Sequence, residues 1–388
     1  MTSPISASAS GHATLETRRI VSVDALRGFD MFWILGGDSL AQALKEMSAG
    51  KAGALSATGE FLGNQLEHVD WAGFRFYDLI FPMFVFIVGV SLVFSLTRLV
   101  EREGKAAAHW RVFRRFILLF SLALIYSGGV SKLWPDIRLL GVLNRIALCY
   151  LFASLLFLNF RLRGLIIACL SLLIGYWALM TFVPVPEIGA GSFEKGANLA
   201  NWIDSQYLAG KRWDGTWDPE GLLSTLPAIG TCLFGVFAGL LLRNAQLDSQ
   251  KKSWWLIGGG IVMVALGFVW GIQFPVIKKI WTSSYVLVAG GYSAILLGLF
   301  HQMIDGWGRQ RWVTPFIWIG ANAITLYFAE NIIGFERLAH RLVGGDVGAF
   351  FDRQVTSDMG HLLAACMGLL LAIALARFLY RRKIFLRV

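Results

Sequence analysis

Apolar residues run along this chain in blocks of about twenty, without the strict alternation of a half-buried strand or the one-sided stripe of a soluble helix. An α-helix rises 1.5 Å per residue, so about twenty such residues match the ~30 Å hydrocarbon core of a bilayer. The blocks fall at 20–42, 76–98, 112–131, 139–160, 164–183, 221–242, 254–274, 284–304, 313–333 and 359–380. They predict an all-α polytopic integral membrane protein of about ten transmembrane helices around a polar central cavity. Residues 1–19 read as a disordered cytoplasmic tail, 20–383 as a single transmembrane domain and 384–388 as a second cytoplasmic tail. The opening "MTSPISASASGHATLETRRI" lacks a basic start followed by an apolar run, so it does not read as a secretory signal. An even number of spans puts both termini on one side.

Composition agrees, with 56% hydrophobic and 15% charged residues against about a quarter charged in soluble domains. Of the Lys and Arg residues, 20 fall in the connections on the side of the termini and 13 in the longer loops opposite. The positive-inside bias therefore predicts cytoplasmic termini. The net charge of +10 is concentrated where anionic lipid headgroups lie, which makes membrane lipid the partner and excludes nucleic acid. Cys149, Cys169, Cys232 and Cys366 sit inside apolar runs with no ligand spacing, as small core hydrophobes do. The long connection 184–220, rich in Trp, Gly and charge, suits either a lid over a polar substrate or a solvated loop.

The informative residues are polar ones inside apolar blocks, where facing lipid costs about 2.5–3.5 kcal/mol each. Asp24 and Arg27 stand one turn apart and can pair at the cytoplasmic end of the first span. Asp38 lies near its outer end and Asp78 at the start of the second; Arg138, Asn144 and Arg145 share "DIRLLGVLNRIALCY", and Asn322 and Glu330 the ninth block. As a set they describe a polar cavity for an anionic or highly polar ligand. His68 falls three residues before Trp71 and ten before Asp78. Folding that loop onto the helix entry lets Asp78 hold one imidazole nitrogen and leaves the other as a base. One His without ligand spacing gives no metal site there.

The chain resembles the transmembrane acetyltransferase family of heparan-α-glucosaminide N-acetyltransferase and its bacterial relatives. The blocks that carry the likeness are "RIVSVDALRGFDMF", "HVDWAGFRFYDLIFPMFVFIVGVSL", "IRLLGVLNRIALCYL", "DPEGLLSTLPAIGTCLFGVFAGLLL" and "FPVIKKIWTSSYVLVAGGYSAILLGLF", running on into "FIWIGANAITLYFAENII". The resemblance implies acetyl transfer from cytosolic acetyl-CoA, a co-substrate, to a glucosamine-type amine on the outer, periplasmic face of a bacterial inner membrane, without a metal. It also implies a homodimer and a member without the large luminal domain of the lysosomal relative. The family His corresponds to His68 and the family Asp ten residues on to Asp78. Asp38, in "GGD", stands where the family has Asn near the outer end of the first shared helix.

On this reading His68, oriented by Asp78, takes a proton from an amine that Asp38 holds in line, or attacks the thioester itself to give an acetyl-imidazole. Arg27 and Arg145 suit the CoA phosphates or the polar core of the bundle. Asn144, Trp281, Ser284, Tyr285 and Asn322 are expected along the cofactor path. Trp71, Arg138, Lys278 and Lys279 are expected on the acceptor side, and Asp24 and Glu330 in structural roles. Two other functions use the same cavity: a proton-coupled sugar permease, and an acyltransferase acting on a glycan hydroxyl of the cell envelope.

Overall fold

A computed structural model describes residues 20–48, 54–355 and 357–386, so the predicted tail at 1–19 lies outside the described residues. Fourteen α-helices make up the described architecture, and no named strand occurs among the described residues. They are α1 (Val21–Ser48), α2 (Ala54–Gln65), α3 (Ile80–Tyr126), α4 (Val142–Asn159), α5 (Leu162–Phe182), α6 (Leu199–Tyr207) and α7 (Thr225–Arg243). The chain continues with α8 (Ser249–Trp270), α9 (Ser283–His301), α10 (Thr314–Ala321), α11 (Ala323–Ile333), α12 (Phe335–Val343), α13 (Asp346–Gln354) and α14 (Met359–Arg381).

Among the described residues, seven stretches are long and apolar enough to cross a membrane, or eight if α10 and α11, bent by 79°, count as one broken span. This establishes a polytopic membrane protein, with a count that differs from the expected ten for two physical reasons. Residues Phe76–Tyr126 form one stretch of 51 residues, in which two expected spans are joined. At 1.5 Å per residue α3 alone is about 70 Å long, over twice the hydrocarbon thickness. It breaks at Gly104, whose φ of 84° suits a residue without a side chain, between Arg98, Arg102, Lys105 and Arg111. The first expected span, in α1, carries Asp24, Arg27, Asp30 and Asp38, too much charge for a helix read by hydropathy alone.

The main core joins α3, α4, α7 and α9, and a second cluster joins α1, α10, α11, α12 and α14. In α5 and α8 only 28% and 22% of the apolar window is buried, so these helices present apolar surface outward, as lipid-facing helices do. Small residues set the closest crossings. A Cβ on Gly28 of α1 would stand 1.7 Å from the Phe316 carbonyl oxygen in α10, and one on Gly235 of α7 1.9 Å from that of Phe86 in α3. A third cluster, with Tyr176, Met180, Phe274, Ile277 and Ile280, packs Trp71 together with Leu199 and Trp202 of the 184–220 connection. That connection carries α6 and forms an ordered cover over this cluster.

Candidate active site

The segment between α2 and α3 brings an imidazole to a buried carboxylate. His68 Nδ1 lies 2.9 Å from Asp78 Oδ1, while Asp78 Oδ2 accepts from the backbone N–H groups of Arg75 at 3.1 Å and Val69 at 3.3 Å. A short 3₁₀ turn, Phe76–Leu79, presents Asp78, and the Phe76 N–H donates to Gln65 Oε1 at 3.1 Å. The Tyr285 hydroxyl donates to the Asp78 carbonyl at 2.8 Å, bracing the turn from α9. With Asp78 1% exposed and its oxygens engaged, the carboxylate is a fixed acceptor. The Tyr77 ring packs on the imidazole with centroids 4.7 Å apart.

A backbone clamp then adds a cation. Ala72 pairs antiparallel with Ile277, and the Gly73 N–H donates to the Val276 carbonyl at 2.8 Å. This docks "PVIKKIWTS" against the His68 segment and places Lys278 Nζ 2.9 Å from His68 Nδ1, 3.2 Å from Nε2 and 3.6 Å from Asp78 Oδ1. Burial pushes the Lys278 ammonium down to about 8, with the Asp78 carboxylate opposing. Trp281 holds the turn in a left-handed conformation, φ 51°, costly for a bulky residue and stabilised by its burial. Its indole N–H donates to Thr231 Oγ1 at 3.1 Å, and its ring faces the Arg145 guanidinium at 4.9 Å.

Two cavities meet in the bundle. The first, about 340 Å³, is lined by Asp38, His68, Tyr77 and Lys278 at its polar end and by α1, α3, α4 and α11 along its apolar walls. The second, about 290 Å³, is lined by Arg27, Ser91, Arg111, Arg115, Tyr150 and Asn322. Phe84, Leu143, Ile146, Ala323 and Ile324 line both, so one layer of side chains separates the His68 end from the arginine end. Arg27 Nη2 donates to Ser91 Oγ at 2.6 Å, and Arg115 faces the Tyr150 ring at 4.6 Å. Asn322 sits at the bend between α10 and α11, and both polar atoms of its side chain, like Arg115 Nε, are buried without a hydrogen-bond partner. Buried polar atoms so placed favour a polar ligand in the second cavity. Its neighbour, lined by Arg98, Arg102 and Arg111, extends the basic surface.

Several residues expected at the site lie elsewhere. Neither cavity lining includes Asn144, Arg145, Trp281, Ser284 or Tyr285. Asn144 Oδ1 caps α4 from Gly141 N–H at 3.2 Å; Arg145 donates to Gly221 carbonyl at 3.2 Å and Ser224 Oγ at 2.5 Å; Ser284 Oγ donates to the Phe274 carbonyl at 2.5 Å. These partners make Asn144 and Ser284 braces, whereas Arg145 is held through Nη2 and keeps Nε and Nη1 buried without a hydrogen-bond partner. Arg138 forms a fork on Asp218, at 2.6 and 2.8 Å, with Glu220 at 2.5 Å, and Lys279 pairs with Asp214 at 3.0 Å. Burial pushes the Glu220 carboxyl up, with the Arg145 and Arg138 guanidiniums opposing. Trp71 donates its indole N–H to the Phe193 carbonyl at 2.8 Å and packs edge-on against Trp217, so with these pairs it fastens the cover. Asp24 pairs with Arg27 at 3.2 Å, and Glu330 accepts from the Phe335 N–H at 3.3 Å at the start of α12. Arg111 and Arg115 count in the sequence among the charges of the connections, and their i, i+4 spacing beside an apolar run is the signal that marks them.

The family description "Heparan-alpha-glucosaminide N-acetyltransferase, catalytic" matches residues 19–271, which include His68 and Asp78. The chain is 28% identical over 396 residues to heparan-alpha-glucosaminide N-acetyltransferase of Homo sapiens and 26% identical over 390 residues to that of Mus musculus. Each alignment covers 83% of this chain and 56% of the relative, so the chain spans little more than half the length of the curated relatives it matches. With the match extending over more than half of its residues, from the first helix through the His68–Asp78 pair and the covering connection, this membrane protein belongs to the heparan-alpha-glucosaminide N-acetyltransferase catalytic family.

Proposed function

We propose that this chain is an acetyltransferase that passes an acetyl group from acetyl-CoA on the cytoplasmic side to the amine of a glucosamine-type sugar on the periplasmic side. The observation that carries the reading is the pair of abutting cavities, one ending at Asp38, His68 and Lys278 and the other at three arginines. A base and a polyanion-binding surface at opposite ends suit a donor whose phosphates and thioester are far apart. Arg27, Arg111 and Arg115 hold phosphates, Asn322 takes an amide of the connecting arm, and the thioester supplies the activated acetyl at the His68 end.

His68 Nδ1 is committed to Asp78, so Nε2 takes the proton of the attacking amine as its nitrogen bonds to the acetyl carbon and the carbon–sulfur bond breaks. Asp78 stabilises the imidazolium that forms and fixes the ring. Asp38 holds the amine in line. The Lys278 ammonium, 2.9 Å from Nδ1 and 3.2 Å from Nε2, stabilises charge developing on the acetyl oxygen. His68 then returns its proton to the departing sulfur.

The test is transfer from radiolabelled acetyl-CoA to glucosamine by the purified protein in detergent, with His68→Ala alongside. The reading predicts labelled N-acetylglucosamine from the parent and a loss of about 10²–10⁴-fold in the variant, with CoA binding retained. An equally active variant contradicts the assignment of the base. Labelled protein accumulating without acceptor would replace direct transfer by an acetyl-imidazole route.

A further inference from the structure

A second constellation lies away from both cavities, where the end of α1 meets α12 and the start of α14. Glu336 and His340 are i, i+4 neighbours on one face of α12, and His361 enters from α14. His361 Nε2 lies 3.8 Å and His340 Nε2 3.9 Å from the same oxygen, Glu336 Oε1. The candidate donor atoms of the three residues all stand within 4.8 Å of one another. Behind them, Glu46 of α1 lies 2.5 Å from His361 Nδ1, and its other oxygen accepts from Gln42 Nε2 at 2.9 Å.

We propose that Glu336, His340 and His361 form a binding site for a divalent transition ion of the zinc class, with Glu46 as the residue that orients His361. Two imidazoles and one carboxylate are a borderline-soft set that favours Zn²⁺ over Mg²⁺ or Ca²⁺ and leaves a fourth position for water. Zn²⁺ bonds at about 2.0–2.2 Å hold tetrahedral donors near 3.5 Å apart, so a small inward movement of side chains closes the site. Glu46 accepts the Nδ1 proton of His361 and so points the Nε2 lone pair at the gap between Glu336 and His340, the carboxylate–histidine–metal arrangement. A bound ion joins α12 to α14 and, through Glu46, to α1, whose other residues line both cavities. The assignment stands independently of the acetyl-transfer reading.

Metal-stripped protein in detergent, dialysed against Zn²⁺ or Co²⁺, tests it. One ion per chain is expected, with the intense visible absorption of low-coordinate Co²⁺ and a rise in Tm on Zn²⁺ addition. His340→Ala and His361→Ala should each abolish the Co²⁺ spectrum, while Glu46→Gln should keep the stoichiometry and weaken Zn²⁺ binding about 10–100-fold. If either alanine variant unfolds without metal, Glu336→Gln decides: loss of the spectrum supports the site and an unchanged spectrum overturns it. Parent protein that retains no more Zn²⁺ than the His340→Ala, His361→Ala double variant also overturns it.

Discussion

At the scale of the residue, the site depends on a carboxylate whose acceptors are nearly all spent before substrate arrives. Asp78 receives two backbone N–H groups and one imidazole, so Asp78→Asn keeps the volume but turns a donor toward His68 and loses the charge that stabilises imidazolium. Transfer is predicted to fall by at least about 10²-fold with KM for acetyl-CoA little changed, measured by steady-state kinetics. Lys278 gives the pH dependence. Its ammonium, pushed down to about 8, carries charge below that pH and loses it above. Activity that needs the cation therefore declines as pH rises through about 8. Lys278→Arg, always protonated, should move that alkaline limb upward, and Lys278→Met should remove the limb together with most of the rate. The His68 and Asp78 pairing was readable ten residues apart in one segment, because the turn that joins them is local. The contact with Lys278 was not, since a backbone pairing between distant segments creates it.

At the scale of the element, breaks and close crossings shape the bundle more than hydropathy does. Apolar blocks located most helices, yet they gave no sign that α10 and α11 bend by 79° at Asn322, the break that brings this amide, expected along the cofactor path, into a cavity lining. Asn144, whose polarity also suggested a ligand, finds its partners in the surrounding chain. Where α1 crosses α10, Gly28→Val is predicted to force the helices apart, lowering Tm and folded yield in detergent, because the added Cβ meets a backbone carbonyl that cannot turn aside. Arg138→Met leaves Asp218 and Glu220 without their shared guanidinium. Breaking such a buried pair costs about 3–5 kcal/mol, so thermal unfolding should begin at the cover and transfer should fall through a raised acceptor KM.

At the scale of the whole molecule, two half-passages from opposite ends share a wall of Phe84, Leu143, Ile146, Ala323 and Ile324. The polar central cavity was foreseen from buried charge, but not its division, because which faces of α3, α4 and α11 converge depends on tertiary packing. Arg111→Ala with Arg115→Ala is predicted to raise KM for acetyl-CoA at least about tenfold while kcat with saturating donor changes less, a split that separates donor binding from chemistry. Passage of acetyl across the bilayer without its carrier is tested in sealed vesicles. Acetyl-CoA is trapped inside, with glucosamine supplied outside, in vesicles whose chains are oriented termini inward. N-acetylglucosamine is expected outside and free CoA inside. Product that forms only when donor and acceptor share a compartment, or sugar uptake without acetyl-CoA, would contradict it.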